Sequence, residues 1–162
     1  MSVPNQYIGI RWMVSQDLPQ VLAIEDASFE FSWSEDEFVR CLRQRNCIGR
    51  VFHVGRRIDG YIVYELHKKR FHILNMAVAP NCRRHGIGKA IIQDIVGRLF
   101  VTCRERIVLE VRESNLDAQY FFRSQGFKAV SVLRDFYDDT TEDAYVMQFQ
   151  LKVSQELASN FR

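Results

Sequence analysis

A basic turn with two glycines joins a strand-like run to a helical pattern near the middle of the chain, within residues 73–92. The N–H groups at a helix N-terminus have no partner inside the helix, and the aligned peptide dipoles make that end electropositive, so an anion is favoured there. Gly86 and Gly88 lack a Cβ, which lets the backbone turn sharply and approach a bulky anion. The side-chain donors around the turn are Arg83, Arg84, His85 and Lys89. The turn predicts a phosphate-binding site, and a basic turn without a ligand is the alternative.

The residues that follow the glycines exclude two common phosphate motifs. A nucleotide P-loop requires Ser or Thr after its Gly-Lys pair, and here Gly88-Lys89 is followed by Ala90. A dinucleotide fingerprint requires a third glycine, and Ile91 occupies that position. A different phosphate ligand is therefore expected.

The remaining pattern, R-R-x-G-x-G-K-A after a strand that ends in A-V-A-P, resembles the acetyl-coenzyme A signature of the GCN5-related N-acetyltransferases (GNAT). In that family the turn wraps the coenzyme's pyrophosphate, and the backbone of the preceding strand pairs with the pantetheine arm. The resemblance thus implies acetyl-CoA as the cosubstrate. The coenzyme-binding residues that it implies here are Met76, Ala77, Val78, Arg84, His85, Gly86, Ile87, Gly88 and Lys89.

Several separated motifs are similar to one subfamily, the RimI-type alanine N-acetyltransferases of bacterial ribosomal proteins. These motifs lie, in the expected order, at residues 31–34, 107–127, 134–137 and 142–144. The resemblance implies transfer of acetyl to the α-amine of a protein N-terminus, specifically the alanine of a small-subunit ribosomal protein. It also implies direct attack in a ternary complex. No acyl-enzyme is expected, because no cysteine or serine lies beside a base in these motifs.

The resemblance assigns the general base to Glu110. Strand alternation turns Glu110 to the face opposite Leu109 and Val111, which leaves a carboxylate on an otherwise apolar strand. The substrate must attack as a neutral amine, and an α-ammonium group has a pKa of about 8, so the base removes a weakly held proton. The alternative is that Glu110 pairs with an arginine such as Arg112 or caps a sheet edge.

One residue departs from the family pattern. In the family, the general acid is a tyrosine four residues before the glycine of a Gly-Phe pair. Here Phe122 occupies that position, at the coenzyme site. Tyr120 is displaced by about 200° around the helix and is a poor substitute. Water or Tyr137 is expected to protonate the leaving thiolate instead. Asn115 matches a pantetheine-contacting asparagine of the family, and helix capping is its alternative role.

The substrate-binding residues implied by the resemblance are Trp33 and Tyr137. The alternative for Trp33 is a hydrophobic staple with Phe38, next to a capping box of Ser34 and Glu37. Four acids near Tyr137 are expected to attract a basic N-terminal segment, or else to form a solvated polar turn. They are Asp138, Asp139, Glu142 and Asp143.

The elements that must position these residues are predicted from periodicity, caps and turns. Strands are expected at 10–14, 48–54, 58–66, 71–78, 106–111, 127–133 and 143–151, and helices at 17–29, 35–44, 91–100 and 116–125. The order βααβββαβαββ predicts an α/β (α+β) fold of the GNAT type. Its sheet is expected to be seven-stranded, mixed but mostly antiparallel, flanked by helices and splayed between strands four and five.

Length and composition bound the class of protein. The 162 residues predict one acetyltransferase domain at 9–152, with a flexible lead-in at 1–8 and a tail at 153–162. The net charge of +2 argues against nucleic acid or a membrane as partners. Four cysteines without C-x-x-C spacing indicate reduced thiols, no metal and a cytoplasmic protein, expected to be a monomer or weak dimer. Two alternatives remain: an acetyltransferase for small-molecule amines, and a weakly catalytic acetyl-CoA-binding protein.

Overall fold

The computed structural model describes residues 7–152, and it confirms the predicted order of elements. The strands are β1 (Gly9–Trp12), β2 (Cys47–Val54), β3 (Arg57–Leu66), β4 (Arg70–Val78), β5 (Arg106–Arg112), β6 (Lys128–Leu133) and β7 (Ala144–Gln150). The helices are α1 (Leu18–Ser28), α2 (Glu35–Leu42), α3 (Ile87–Val101) and α4 (Leu116–Ser124). The predicted tail at 153–162 and residues 1–6 of the predicted lead-in lie outside the described residues.

The strands form one seven-stranded sheet in the order β1-β2-β3-β4-β5-β7-β6. Every neighbouring pair is antiparallel except β4 and β5, which the crossover helix α3 connects in parallel. The predicted mixed sheet is therefore confirmed. The parallel pair is where the two antiparallel halves of the sheet meet.

Apolar side chains cover both faces of the sheet. On one face α3 buries Ile91, Ile95 and Leu99 against β4 and β5. On the other face α1 and α2 bury Val21 and Phe38 against β3. The helices therefore pack on the sheet as its apolar pattern predicts. Among residues 7–152, no helix has the length and hydropathy that a bilayer crossing requires.

The predicted start of α2 is confirmed in detail. The Ser34 N–H donates to Glu37 Oε2 at 2.7 Å, and the Glu37 N–H donates back to Ser34 Oγ at 3.2 Å. Trp33 and Phe38 meet edge to face with ring centroids 5.2 Å apart, which is the predicted staple. This cap fixes the chain between α1 and α2 at the edge of the site.

Candidate active site

The candidate site is a slot between β4 and β5. These strands pair over only three residues, from Arg70–Arg106 to His72–Val108, and then separate. Within residues 7–152, the β5-facing edge of β4 has no strand partner beyond His72. A cavity of about 560 Å³ lies there, and six predicted site residues line it: Trp33, Met76, Glu110, Asn115, Phe122 and Tyr137. Ala77 and Val78 lie further along β4, towards the basic turn.

The basic turn lies between β4 and α3, as predicted. Gly86 has a φ of 84° and Arg84 a φ of 62°, so the backbone doubles back before the helix begins at Ile87. The Ala90 N–H donates to the Gly86 carbonyl at 3.0 Å, which is the first bond of the helix. The N–H groups of the three helical residues before Ala90 have no backbone carbonyl one turn earlier as a partner. The side chains of Arg84, His85 and Lys89 are exposed around these donors. The turn therefore places backbone donors and three exposed basic side chains at the start of α3.

Gly88 occupies a tight position in the first turn of α3. A Cβ at Gly88 would lie 3.1 Å from the Phe121 ring of α4, which is closer than ordinary carbon contacts. This glycine therefore lets α3 and α4 approach each other beside the slot. The adjacent Arg83 does not face an anion site, because it donates to the Val78 carbonyl and to Ser28 Oγ, both at 3.0 Å.

Glu110 lies on the slot-facing side of β5, opposite buried Leu109 and Val111, as strand alternation predicts. Its partner is His72, whose Nε2 lies 2.6 Å from Glu110 Oε2. The expected alternative, a pair with Arg112, is wrong. The bond to the carboxylate raises the pKa of His72 above its ordinary value, against the opposing effect of burial. Glu110 is thus a half-buried carboxylate with one imidazole neighbour.

Arg112 instead organises the outer wall of the slot. Its guanidinium carbon lies 3.7 Å from the centre of the Tyr137 ring and 4.9 Å from that of Phe31. Its Nη2 bonds Asp139 Oδ2 at 2.7 Å. Burial raises the pKa of Tyr137, so its hydroxyl stays protonated over a wide pH range. Arg112 therefore holds two aromatic rings at the mouth of the cavity.

The four acids near Tyr137 are mostly paired with arginines. Asp139 and Glu142 contact Arg112, and Asp143 contacts Arg134 at 2.6 Å. A carboxylate that already bonds a guanidinium has less free charge for a basic peptide. The paired polar turn is thus the better description of this segment.

The inner wall depends on Glu25, which is only 1% exposed. Its carboxylate accepts hydrogen bonds from the Tyr61 hydroxyl, from Asn75 Nδ2 at 2.9 Å and from the Trp33 N–H at 2.8 Å. Burial, more than the neighbouring carboxylate, raises the pKa of Tyr61 and keeps its hydroxyl a donor. The network ties α1 to the Trp33 segment and to β4.

Phe122 and Asn115 come from the α4 segment. Phe122 is 6% exposed and packs between Phe121 and Phe127, with centroids 5.1 and 5.3 Å away. Asn115 Oδ1 accepts from the Ala118 N–H at 3.2 Å, so its capping role is confirmed. Tyr120 is 66% exposed and borders a different cavity, which agrees with its rejection as a substitute acid.

Two residues of the site, His72 and Glu25, were not predicted from the sequence. The position of His72 depends on the register between two strands that are far apart in the chain, and no local pattern specifies it. Glu25 did carry a signal, because it follows Leu18, Val21 and Leu22 on the apolar face of α1. A carboxylate on such a face indicates a buried hydrogen-bond network.

Comparisons with known proteins place the chain in a family. The model of the acetyltransferase (GNAT) family matches residues 18–127. Ribosomal protein bS18-alanine N-acetyltransferase of Escherichia coli K12 is 27% identical over 139 residues, which cover 85% of this chain and 93% of that protein. An N-alpha-acetyltransferase of Sulfurisphaera tokodaii is 31% identical over 144 residues, 81% of this chain and 86% of that one.

Solved structures show the same fold. The Escherichia coli ribosomal-protein-S18-alanine N-acetyltransferase has a TM-score of 0.81 at 25% identity, over 91% of this chain and 96% of that one. Arabidopsis thaliana Naa50, solved with the bisubstrate analogue CoA-Ac-MVNAL, has a TM-score of 0.76 at 18% identity, over 89% and 99% of the two chains. At that identity the second likeness concerns the fold alone.

Proposed function

This chain belongs to the acetyltransferase (GNAT) family, and from that premise we propose that it transfers acetyl from acetyl-CoA to the α-amine of a protein N-terminus. The observation that carries the proposal is the unpaired edge of β4, which faces Glu110 across the slot. A thioester held along that edge and an amine beside Glu110 would meet in one cavity.

The coenzyme would occupy the β4 edge and the basic turn. Along the β5-facing edge of β4, the backbone of Met76, Ala77 and Val78 is suited to bond the pantetheine amides as an added strand would, beside the bond from Arg83 to the Val78 carbonyl. The pyrophosphate would accept from the N–H groups at the start of α3, with Arg84, His85 and Lys89 adding positive charge. Asn115 and Phe122 would flank the arm on the β5 side of the cavity.

Glu110 would act as the general base. Its side chain lines the same cavity as Met76, on the β5 side of the slot. The attacking amine would lose its proton to Glu110, directly or through a water, while the new C–N bond forms and the C–S bond then breaks. An N–H group near Val78 would stabilise the oxyanion of the tetrahedral intermediate.

Tyr137 would protonate the leaving thiolate. Phe122 has no proton to donate. Tyr137 lines the cavity, and its raised pKa keeps its hydroxyl protonated. A thiol has an ordinary pKa of about 8.5, so the thiolate is a tolerable leaving group near neutral pH, and water is the competing donor. Tyr137 would also hold the first residues of the acceptor, together with Trp33.

A protein N-terminus is the acceptor that the site favours. The mouth is bordered by Phe31, Trp33 and Tyr137, and flat aromatic walls suit an extended peptide. The similarity to the Escherichia coli bS18-alanine enzyme supports the N-terminal alanine of a ribosomal protein as the acceptor.

The test is a thiol-release assay with acetyl-CoA and hexapeptides that differ in their first two residues, with free amino acids and polyamines as controls. We expect turnover of peptides that begin with alanine, and none of the same peptides with a blocked α-amine. Turnover of small amines without any peptide preference would contradict the proposed acceptor. Coenzyme binding without turnover of any amine would contradict catalysis itself.

A further inference from the structure

A second group of ligating side chains lies on the β3–β4 hairpin, next to Glu110 but outside the lining of the slot cavity. Glu65 and His72 are cross-strand partners in β3 and β4, and His67 follows the end of β3. His67 Nε2 lies 2.9 Å from Glu65 Oε2, and His72 Nδ1 lies 3.8 Å from the same oxygen. One donor atom from each residue falls within 4.8 Å of the other two. These are separations at which three ligands can share one ion.

The bond between His72 and Glu110 orients His72 for such a role. Glu110 Oε2 lies 2.6 Å from His72 Nε2, and a carboxylate accepts, so the proton of the neutral ring is on Nε2. The lone pair is then on Nδ1, the nitrogen on the side of Glu65. Its 3.8 Å separation from Glu65 is too long for a hydrogen bond. A carboxylate behind a histidine is the outer-shell arrangement that orients metal-binding imidazoles.

We propose that Glu65, His67 and His72 bind a zinc ion, with Glu110 as the carboxylate behind His72. Two imidazoles and one carboxylate form the donor set of open zinc sites, in which water completes the tetrahedron. The side chains of Glu65, His67 and His72 are 25%, 35% and 23% exposed, so an ion has access from solvent. The spacing of cysteines and histidines along the sequence did not predict this site. One ligand is a glutamate, and the three residues come together only when β3 and β4 pair as a hairpin.

The surrounding structure holds the three ligands in place. The backbone between β3 and β4 is closed by the bond from the His67 N–H to the Arg70 carbonyl at 2.9 Å. Arg104 Nε donates to the His67 carbonyl at 2.6 Å and anchors the same turn from the α3–β5 connection.

Without an ion, the same residues would be two ion pairs, Glu65 with His67 and Glu110 with His72. Calorimetric titration of the untagged chain, stripped of metal with EDTA, separates the two descriptions. We expect one Zn²⁺ per chain. We expect Glu65→Gln, His67→Gln and His72→Gln each to weaken binding by at least tenfold, and His53→Gln to leave it unchanged. His53 is the matched control because its ring bonds the Gly55 carbonyl, away from the cluster.

Co²⁺ supplies a readout that does not depend on affinity alone. The ion in this site should show the intense visible bands of tetrahedral coordination, and His67→Gln should abolish them. No Zn²⁺ binding, or binding that the three ligand variants leave intact, would overturn the proposal. So would Co²⁺ spectra that are the same for the parent chain and for His67→Gln.

The role of Glu110 as the outer-shell carboxylate has its own test. Glu110→Gln should weaken Zn²⁺ binding by about tenfold, because loss of such a partner costs 10- to 100-fold in affinity. Unchanged Zn²⁺ affinity in this variant would remove Glu110 from the site. Metal binding and acetyl transfer are measured separately. A chain that binds Zn²⁺ but acetylates nothing would contradict the proposed function and leave the zinc site standing.

Discussion

Glu25→Gln tests the buried network behind the Trp33 wall. The Glu25 carboxylate accepts from three groups: the Tyr61 hydroxyl, Asn75 Nδ2 and the Trp33 N–H. In glutamine one oxygen becomes NH₂, so at least one of these donors loses its acceptor whichever way the amide turns. A buried donor left unsatisfied costs about 1–3 kcal/mol. We therefore expect the free energy of unfolding to fall by about 2 kcal/mol.

Urea denaturation followed by circular dichroism measures this loss, with Asp26→Asn as the control. Asp26 is exposed on the same helix, and its substitution should change the free energy of unfolding by less than about 0.5 kcal/mol. Tyr61→Phe removes one donor and should cost about 1 kcal/mol. The double variant should lose less than the sum of the two single losses, because both act on one bond. A Glu25→Gln loss no larger than that of Asp26→Asn would refute the network.

Three further outcomes follow from the site and its supports. Tyr137→Phe should lower kcat and remove the alkaline limb of its pH profile, whereas an unchanged limb would assign the proton to water. Gly86→Ala should weaken acetyl-CoA binding, measured by calorimetry, because a φ of 84° strains any residue with a Cβ. The hydrogen bond from Arg11 lowers the pKa of Asp17 in the folded state. The pair therefore stabilises the fold fully above the ordinary Asp pKa of about 3.9, and this stabilisation is lost as the pH falls through the lower pKa of the folded state. Arg11→Gln should therefore make acid unfolding begin at higher pH, and an unchanged midpoint would contradict this role.

Local patterns predicted the elements and the turn, because their causes are local. The capping box at Ser34 and the glycine at position 86 act within a few residues of themselves, and the structure places a helix start at each. The alternation in β5 likewise predicted the face of Glu110. Each of these features depends on neighbours along the chain.

The partners across the slot were not predictable in the same way. Arg112 was the expected alternative partner of Glu110, yet it reaches Asp139 in the β6–β7 connection, and His72 takes its place. Which side chains meet across β4 and β5 depends on register and on where the strands separate. Those features are set by packing of distant segments and not by any one motif.

The most direct test of the central claim is the turnover of an alanine N-terminal peptide by Glu110→Gln. We expect kcat to fall by at least about 100-fold, since a general base contributes 10²- to 10⁴-fold. Acetyl-CoA affinity should remain that of the parent chain, because the basic turn and the β4 edge are untouched. Turnover equal to that of the parent chain, with the same coenzyme affinity, would contradict the assignment of Glu110 as the base.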